Sequence, residues 1–227
     1  MPAQKTPLSA GLVQRGALLL VLSLAAAGTG AGLRPYPAHA QEVAVADLMR
    51  RGPLDDLTLG PAEAEVTVVV FVSLGCYLCA QFHNDILPGL KSKYVDTGRA
   101  RFIFRDFPVD NASTAAALLV RCAGNGRELE LVDRLFARQD YWAIMDGSLA
   151  TIRLFQTVEP LGVTQQEFDE CLSNHKLLGA ITAARNLAAD ELGIRRAPTF
   201  FMNGRRFEGD GAIAELGAEL GKVLKEQ

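Results

Sequence analysis

The feature that most constrains this chain is a pair of cysteines, two residues apart, at the junction of two structural patterns. Residues 66–74, VTVVVFVSL, are apolar on both alternating faces and rich in β-branched side chains. Such a run predicts a central β-strand that is covered on both sides. Gly75 interrupts the run, and Cys76 and Cys79 open the next segment. The cysteines are therefore expected at a strand-to-helix turn.

The segment after the strand has a helical pattern up to Gly98. A bend is expected at Pro88, because proline lacks a backbone N–H and crowds the preceding turn. Gly98 is a typical helix end. Residues 100–109, ARFIFRDFPV, then read as a second strand. Together these segments predict a strand–helix–strand unit.

A long helical block separates this unit from a second group of strands. Residues 112–192 contain several segments with helical periodicity. The strand pattern returns at TFFM, followed by the two-residue turn Asn203–Gly204, RRFEG and a terminal amphipathic helix. The predicted order is βαβ, an all-helical insertion and ββα, which places the chain in the α/β class.

The first forty residues have the composition of a secretory signal. They contain three basic residues, no acidic residue and an apolar run, and Ala38-His39-Ala40 fits a signal peptidase site. We therefore expect residues 1–40 to be a signal peptide that is cleaved before Gln41. The alternative is an uncleaved membrane anchor, since the uncharged run over 16–33 is about long enough to span a bilayer.

Charge and cysteine content narrow the classes of function. The formal net charge is −3, and cleavage after Ala40 would remove three positive charges to give −6. An acidic chain without a basic cluster is a poor nucleic-acid binder. All four cysteines lie after the predicted signal, in a mature chain expected to be soluble in an oxidising, extracytoplasmic space. In an oxidising compartment, an even number of cysteines favours disulfide chemistry.

The position of the cysteine pair predicts unequal thiols. Cys76 would lie at the start of a helix, where free N–H groups and the helix dipole favour an anion. It is the expected low-pKa nucleophile, and Cys79, one turn later, is the expected resolving thiol. A structural zinc site needs four ligands, of which this motif supplies two. Copper(I) held by the two thiolates is the metal alternative that stays open.

Four stretches of the chain together resemble one family. They are EVTVVVFVSLGCYLC, FHNDILPGLKSKYVDTGRARFIFRDFPVD, RCAG and GIRRAPTFFMNGRRFEG. Their order and content are similar to the DsbA-like thiol:disulfide oxidoreductases of bacterial envelopes. The resemblance implies a thioredoxin-like fold built from residues 54–111 and 193–227, with residues 112–192 as an inserted helical domain. Residues 41–53 would form a short N-terminal segment.

The resemblance also implies how the site works. Ala197–Pro198 is expected to be a cis peptide that faces Cys76 and Cys79, with the backbone of Ala197 pairing with substrate. Disulfides would be passed by exchange at the two cysteines, without a cofactor or metal. Substrates would be unfolded secreted proteins with free thiols. A membrane quinone-linked partner of the DsbB type would reoxidise the protein, which is expected to be a monomer.

The chain departs from the family pattern at several positions near the cysteines. Tyr77-Leu78 stands where relatives often carry Pro-His, so the histidine that stabilises the thiolate is replaced by Leu78. This change predicts a weaker oxidant. Val70 occupies the position where many thioredoxin-fold proteins hold a buried carboxylate. We expect Arg196, or its neighbour Arg195, either to tune the thiolate or to lie solvated at the surface.

The other two cysteines fall in the helical block. If Cys76 and Cys79 pair with each other, Cys122 and Cys171 are left to form a second, structural disulfide. The alternative is a pair of small buried hydrophobic residues. A disulfide over this loop is expected to stabilise the helical domain.

These observations favour an extracytoplasmic dithiol oxidase that introduces disulfides into secreted proteins. A disulfide isomerase or reductase is the alternative enzyme, although residues 41–53 look short for the oligomerising module that isomerases of this kind usually carry. A copper(I) delivery module is the alternative from a different class.

Overall fold

The computed structural model describes residues 43–124, 126–144, 147–209 and 211–225. The predicted signal peptide, residues 1–40, lies outside them. Five strands and ten α-helical segments occur in the described part: α1 Val45–Leu48, β1 Leu57–Leu59, β2 Val66–Val72, α2 Tyr77–Gln81, α3 Leu87–Leu90, β3 Ala100–Asp106, α4 Asn111–Ala123, α5 Glu128–Ala137, α6 Gln139–Trp142, α7 Gly147–Val158, α8 Gln165–Leu172, α9 His175–Glu191, β4 Thr199–Met202, β5 Arg205–Glu208 and α10 Ala212–Val223.

The strands form one mixed sheet in the order β1-β3-β2-β4-β5. Strands β2 and β3 are parallel, and the other neighbouring pairs are antiparallel. The predicted α/β fold with its βαβ and ββα halves is confirmed. Strand β1 and helix α1 were not predicted, because segments of three and four residues are too short to show a period.

The helical run after the cysteine pair is continuous but irregular. Two π-helical turns, Phe82–Ile86 and Lys91–Val95, flank α3. Pro88 lies in the first turn of α3, just after the first π-helical turn. The irregularity therefore coincides with the predicted bend, as expected for a residue that cannot donate a backbone hydrogen bond. Gly98 follows the run with φ 76°, a conformation that favours glycine.

Both faces of β2 are covered, as its unbroken apolar sequence predicts. On one face, Val68 and Val70 belong to a large core shared with the helical block. On the other face, Val69 and Phe71 pack in a smaller core that includes Ala188 of α9. The last part of the predicted insertion thus covers the sheet itself, and the helical block and sheet share hydrophobic packing.

A buried ion pair also joins the sheet to the helical block. Nε of Arg121, on α4, donates to Oδ2 of Asp106 at the end of β3 over 2.6 Å, and both side chains are 8% exposed. Burial raises the pKa of Asp106, and the Arg121 guanidinium opposes this effect. Such a pair is costly to break, because the remaining charge would stay buried.

The helical block is held by caps and one disulfide. Asp110 caps α4 by accepting from the backbone N–H of Ser113 over 2.7 Å, and Thr164 opens α8 with a capping box. A disulfide joins Cys122 of α4 to Cys171 of α8. No helix in the described part of the chain is long and apolar enough to cross a membrane.

Candidate functional site

The cysteine pair lies at the end of β2, as predicted. Cys76 is the N-cap residue of α2, with φ −80° and ψ 121°, and its N–H donates to the carbonyl of Ser73 over 3.0 Å. Its own carbonyl accepts from the N–H of Ala80 over 3.1 Å. The thiol of Cys76 is therefore placed at the helix end where free N–H groups favour a negative charge.

The two thiols differ in exposure and acidity. Both are free in this structure; Cys76 is partly exposed and Cys79 is fully buried. The Cys79 side chain, which hydrogen-bonds to Cys76, is the largest cause that lowers the pKa of Cys76, from 9.0 to about 6. Backbone N–H groups of Cys79 and Leu78 lower it further, while burial opposes them. Burial raises the pKa of Cys79 well above 9.0.

The second half of the site is the loop before β4. Ala197–Pro198 is a cis peptide bond, and Sγ of Cys76 lies 3.2 Å from the carbonyl oxygen of Ala197. Strand β4 pairs with β2, with Thr199 opposite Phe71. This pairing carries Pro198 to the end of the sheet where the cysteines lie. The structure thus brings together Cys76, Ala197 and Pro198, which the resemblance had placed in one site.

Small polar residues support the turn that carries Cys76. The hydroxyl of Ser113 accepts from the N–H of Gly75 over 3.1 Å and lies 2.8 Å from the buried hydroxyl of Ser73. A Cβ atom on Gly75 would lie only 2.6 Å from that Ser113 oxygen. Gly75 is therefore required by the close approach of α4, a contact that the sequence pattern did not reveal.

Asp110 is a functional candidate that the sequence reasoning missed. Its Oδ2 atom would lie 3.4 Å from a Cβ on Gly75, the residue before Cys76. Its negative charge raises the pKa of Cys76, against the other polar groups around the thiol. The only sequence signal was its position after β3, because neighbouring parallel strands end at the same edge of a sheet.

Several residues predicted to tune the thiols have different surroundings. Tyr77 and Leu78 are exposed, at 74% and 37%, so they border the site as a surface. Val70, at the position where many thioredoxin-fold proteins hold a carboxylate, is fully buried in the sheet. Arg195 donates to the carbonyl of Ala189 over 2.5 Å, and the side chain of Arg196 is exposed. Among the described residues, the charged group that acts on the Cys76 pKa is Asp110, not Arg196.

The described residues contain no cluster of three or more His, Cys, Asp or Glu side chains that could hold a metal ion. The imidazole of His83, one helical turn after Cys79, is 9% exposed; its Nε2 atom lies 2.7 Å from Oδ1 of Asp133. It also packs on Phe136, with the ring centroids 4.7 Å apart. His83 therefore has the surroundings of a packing residue.

Comparisons with known proteins show the family to which the chain belongs. The thioredoxin family model matches residues 54–222. A Rickettsia conorii protein that carries the name of a protein-disulfide oxidoreductase is 31% identical over 175 residues, which is 76% of this chain and 62% of that protein. A similarly named Rickettsia bellii protein is 30% identical over 76% of this chain and 66% of its own length. The chain thus spans just under two thirds of these relatives.

A solved structure shows the same architecture. The crystal structure of alpha-DsbA1 from Wolbachia pipientis superposes with a TM-score of 0.68 and 27% identity, covering 80% of this chain and 98% of that one. The fold and the site define a thioredoxin-fold protein with a CxxC motif and an inserted helical block. The chain belongs to the DsbA-like thioredoxin-fold family. Members of this family work through redox-active cysteines without a cofactor.

Proposed function

We propose that this protein is an extracytoplasmic thiol:disulfide oxidoreductase that acts as a dithiol oxidase on secreted proteins. One observation carries the proposal: a partly exposed Cys76, whose pKa is lowered to about 6, lies beside the Ala197–Pro198 loop with a buried Cys79 behind it. A stable Cys76 thiolate favours the reduced form of the pair. A pair that favours its reduced form draws electrons from other thiols.

The first step is attack on the exposed sulfur. A substrate thiolate attacks Sγ of Cys76 in the oxidised pair, a new sulfur–sulfur bond forms, and the Cys76–Cys79 bond breaks. The electron pair of the broken bond goes to Cys79, whose raised pKa favours taking up a proton. The buried position of Cys79 makes Cys76 the accessible target.

The second step releases the substrate. A second substrate thiolate attacks the substrate sulfur of the mixed disulfide, and Cys76 leaves as a thiolate. The substrate has then lost two electrons and two protons and gained one disulfide. Cys79 keeps one proton, and the other enters solvent when the pH is above the Cys76 pKa of about 6. A low-pKa leaving group speeds this step.

The substrate class follows from the surface around Cys76. The Ala197 carbonyl faces the reactive sulfur, and exposed Tyr77 and Leu78 flank it. An open site of this kind suits an extended, unfolded segment, which pairs with the Ala197 backbone and presents its cysteine. We further propose that the protein works as a periplasmic monomer and is reoxidised by a membrane quinone-linked partner of the DsbB type.

The test is direct measurement of exchange. The wild type should oxidise a reduced, unfolded two-cysteine protein stoichiometrically, and Cys76→Ser should abolish this reaction. In Cys79→Ser, the Cys76 thiolate should attack the disulfide of an oxidised substrate. The mixed disulfide should then accumulate, because the resolving thiol is absent. The reduction potential obtained from the equilibrium with glutathione should be higher, and so more oxidising, than that of cytosolic thioredoxins.

Three results would redirect the proposal. Faster rescue of scrambled disulfides than oxidation of reduced substrate would assign an isomerase. Rapid reduction of insulin with little oxidation would assign a reductase. Stoichiometric copper(I) binding without any exchange would assign the binding module.

A further inference from the structure

A buried glutamine of the helical block reaches the turn that carries the reactive cysteine. Gln139 is the first residue of α6 and is 8% exposed. Its side-chain Nε2 lies 2.7 Å from the carbonyl oxygen of Leu74 and 2.9 Å from that of Cys76. These carbonyls belong to the residues on either side of Gly75. One side chain therefore holds both ends of the turn between β2 and α2.

The chemistry of this contact admits only one arrangement. Both partners are carbonyl oxygens, which only accept hydrogen bonds, so the NH₂ group of Gln139 must face them. That group has two hydrogens, one for each carbonyl. The rest of α6 is firmly anchored, because Trp142 is fully buried and its Nε1 donates to the carbonyl of Leu135 over 2.9 Å.

The held carbonyl of Cys76 is also the first acceptor of α2, since it receives the N–H of Ala80. The orientation of this first turn decides where the N–H groups of Leu78 and Cys79 point. These two N–H groups lower the pKa of Cys76 and so favour its thiolate. The contact with Gln139 therefore bears on the acidity of Cys76 through backbone orientation, without touching the sulfur.

We infer that Gln139 is a positioning residue for the redox pair, through which the helical block sets how strongly the Cys76 thiolate is stabilised. The inference rests on the proposed exchange function and adds a residue outside the CxxC motif and the cis-proline loop. Without the two hydrogen bonds, the first turn of α2 can rotate away from the sulfur. The reduced form then loses stabilisation, and the protein becomes a weaker oxidant.

The experiment compares Gln139→Met with Gln165→Met. Methionine has a similar size to glutamine but cannot donate, and Gln165 is an exposed glutamine of the same block that bonds to Asp169. Gln139→Met should raise the pKa of Cys76, read from thiolate absorbance. It should also lower the equilibrium constant for reduction by glutathione roughly fivefold, the effect of one ordinary hydrogen bond. Gln165→Met should change neither quantity.

A second variant guards against loss of folding. Gln139→Asn keeps a side-chain amide, but the side chain is shorter by one methylene and the amide lies farther from the two carbonyls. It should therefore raise the Cys76 pKa and lower the equilibrium constant with glutathione, as Gln139→Met does. If a folded variant at position 139 keeps the wild-type Cys76 pKa and equilibrium constant, the inference is wrong. If neither variant folds, Gln139 serves core stability and the positioning role is rejected. If the wild type itself exchanges no disulfides, the proposed function fails instead.

Discussion

The Sγ atom of Cys76 lies 3.2 Å from the carbonyl oxygen of Ala197, although the two residues are 121 positions apart in the chain. A protonated thiol can donate to this oxygen, but a thiolate has no hydrogen to give. The Ala197 carbonyl therefore favours the neutral form of Cys76. The low pKa of Cys76 must therefore come from other groups, which are the Cys79 side chain and the backbone N–H groups of Cys79 and Leu78.

Removal of the Cys79 thiol should make Cys76 less acidic. The hydrogen bond with the Cys79 side chain is the largest cause of the lowered Cys76 pKa. Thiolate absorbance of the reduced wild type should give a Cys76 pKa of about 6. In Cys79→Ala the same measurement should give a higher Cys76 pKa. A pKa in Cys79→Ala equal to or below the wild-type value would show that the helix N-terminus alone stabilises the thiolate.

Stability of the reduced protein should depend on pH in a defined window. The pKa of Cys76 is about 6 in the folded reduced protein, below the ordinary value of 9.0. Because the folded-state pKa is the lower one, ionisation of Cys76 stabilises the folded form above pH 6, and this contribution is lost as the pH falls through 6.

Urea unfolding of the reduced and oxidised proteins should reveal this effect. The reduced form should gain stability relative to the oxidised form as the pH rises from about 6 towards about 9. Reduced Cys76→Ser is the matched control, since it keeps the fold but lacks the titrating thiol, and it should not show the gain. A constant difference between reduced and oxidised wild type over that window would contradict the lowered pKa.

Leu78 should make this protein a weaker oxidant than a histidine-bearing variant. Leu78 is 37% exposed beside the site, and its side chain cannot stabilise a thiolate. A charge-assisted interaction of roughly 1.5–3 kcal/mol corresponds to a few tens of millivolts. Leu78→His should therefore raise the reduction potential, measured against glutathione, by about that amount, and Leu78→Gln should raise it less. A wild-type reduction potential equal to or higher than that of Leu78→His would refute the prediction.

Much of the fold could be predicted because its signals are local. The apolar run of β2, the helical pattern after Cys76 and the Asn203–Gly204 turn are each contained in a few residues. The turn has φ 51° at Asn203 and φ 84° at Gly204, the positive values that such hairpin sequences favour. Strand β1 could not be predicted, because Leu57–Leu59 is defined by its pairing with β3 and not by a period of its own.

The site was only partly predictable for a related reason. The redox pair could be predicted from the spacing of Cys76 and Cys79, and Pro198 could be predicted from the resemblance to the family. Asp110 and Gln139 act on the pair from other elements. No sequence pattern distinguishes them from other polar residues. Their contribution depends on where α4 and α6 pack against the end of β2, which is decided by the tertiary structure.

The Cys122–Cys171 disulfide should stabilise the helical block without tuning the redox pair. It closes a loop with a sequence separation of 49 and joins α4 to α8. Loss of a crosslink over such a loop costs about 4 kcal/mol in the chain-entropy model. The double variant Cys122→Ala with Cys171→Ala should therefore unfold at lower urea concentration and keep the wild-type Cys76 pKa. An unchanged unfolding midpoint, or a shifted Cys76 pKa, would reject a purely structural role.

Neutralising Asp110 should make Cys76 more acidic. The Asp110 carboxylate opposes ionisation of Cys76, and it also caps α4 by accepting from Ser113. Asparagine caps helices about as well as aspartate, so Asp110→Asn removes the charge and keeps the cap. The Cys76 pKa should fall, by less than Cys79→Ala raises it, because Asp110 is the smallest of the causes acting on this thiol. Alkylation of reduced Asp110→Asn below about pH 6 should therefore be faster than alkylation of the reduced wild type.

The control is Asp169→Asn, which removes an exposed carboxylate on α8. This variant should be alkylated at the wild-type rate. A Cys76 pKa that stays constant or rises in Asp110→Asn would mean that solvent screens this carboxylate from the sulfur.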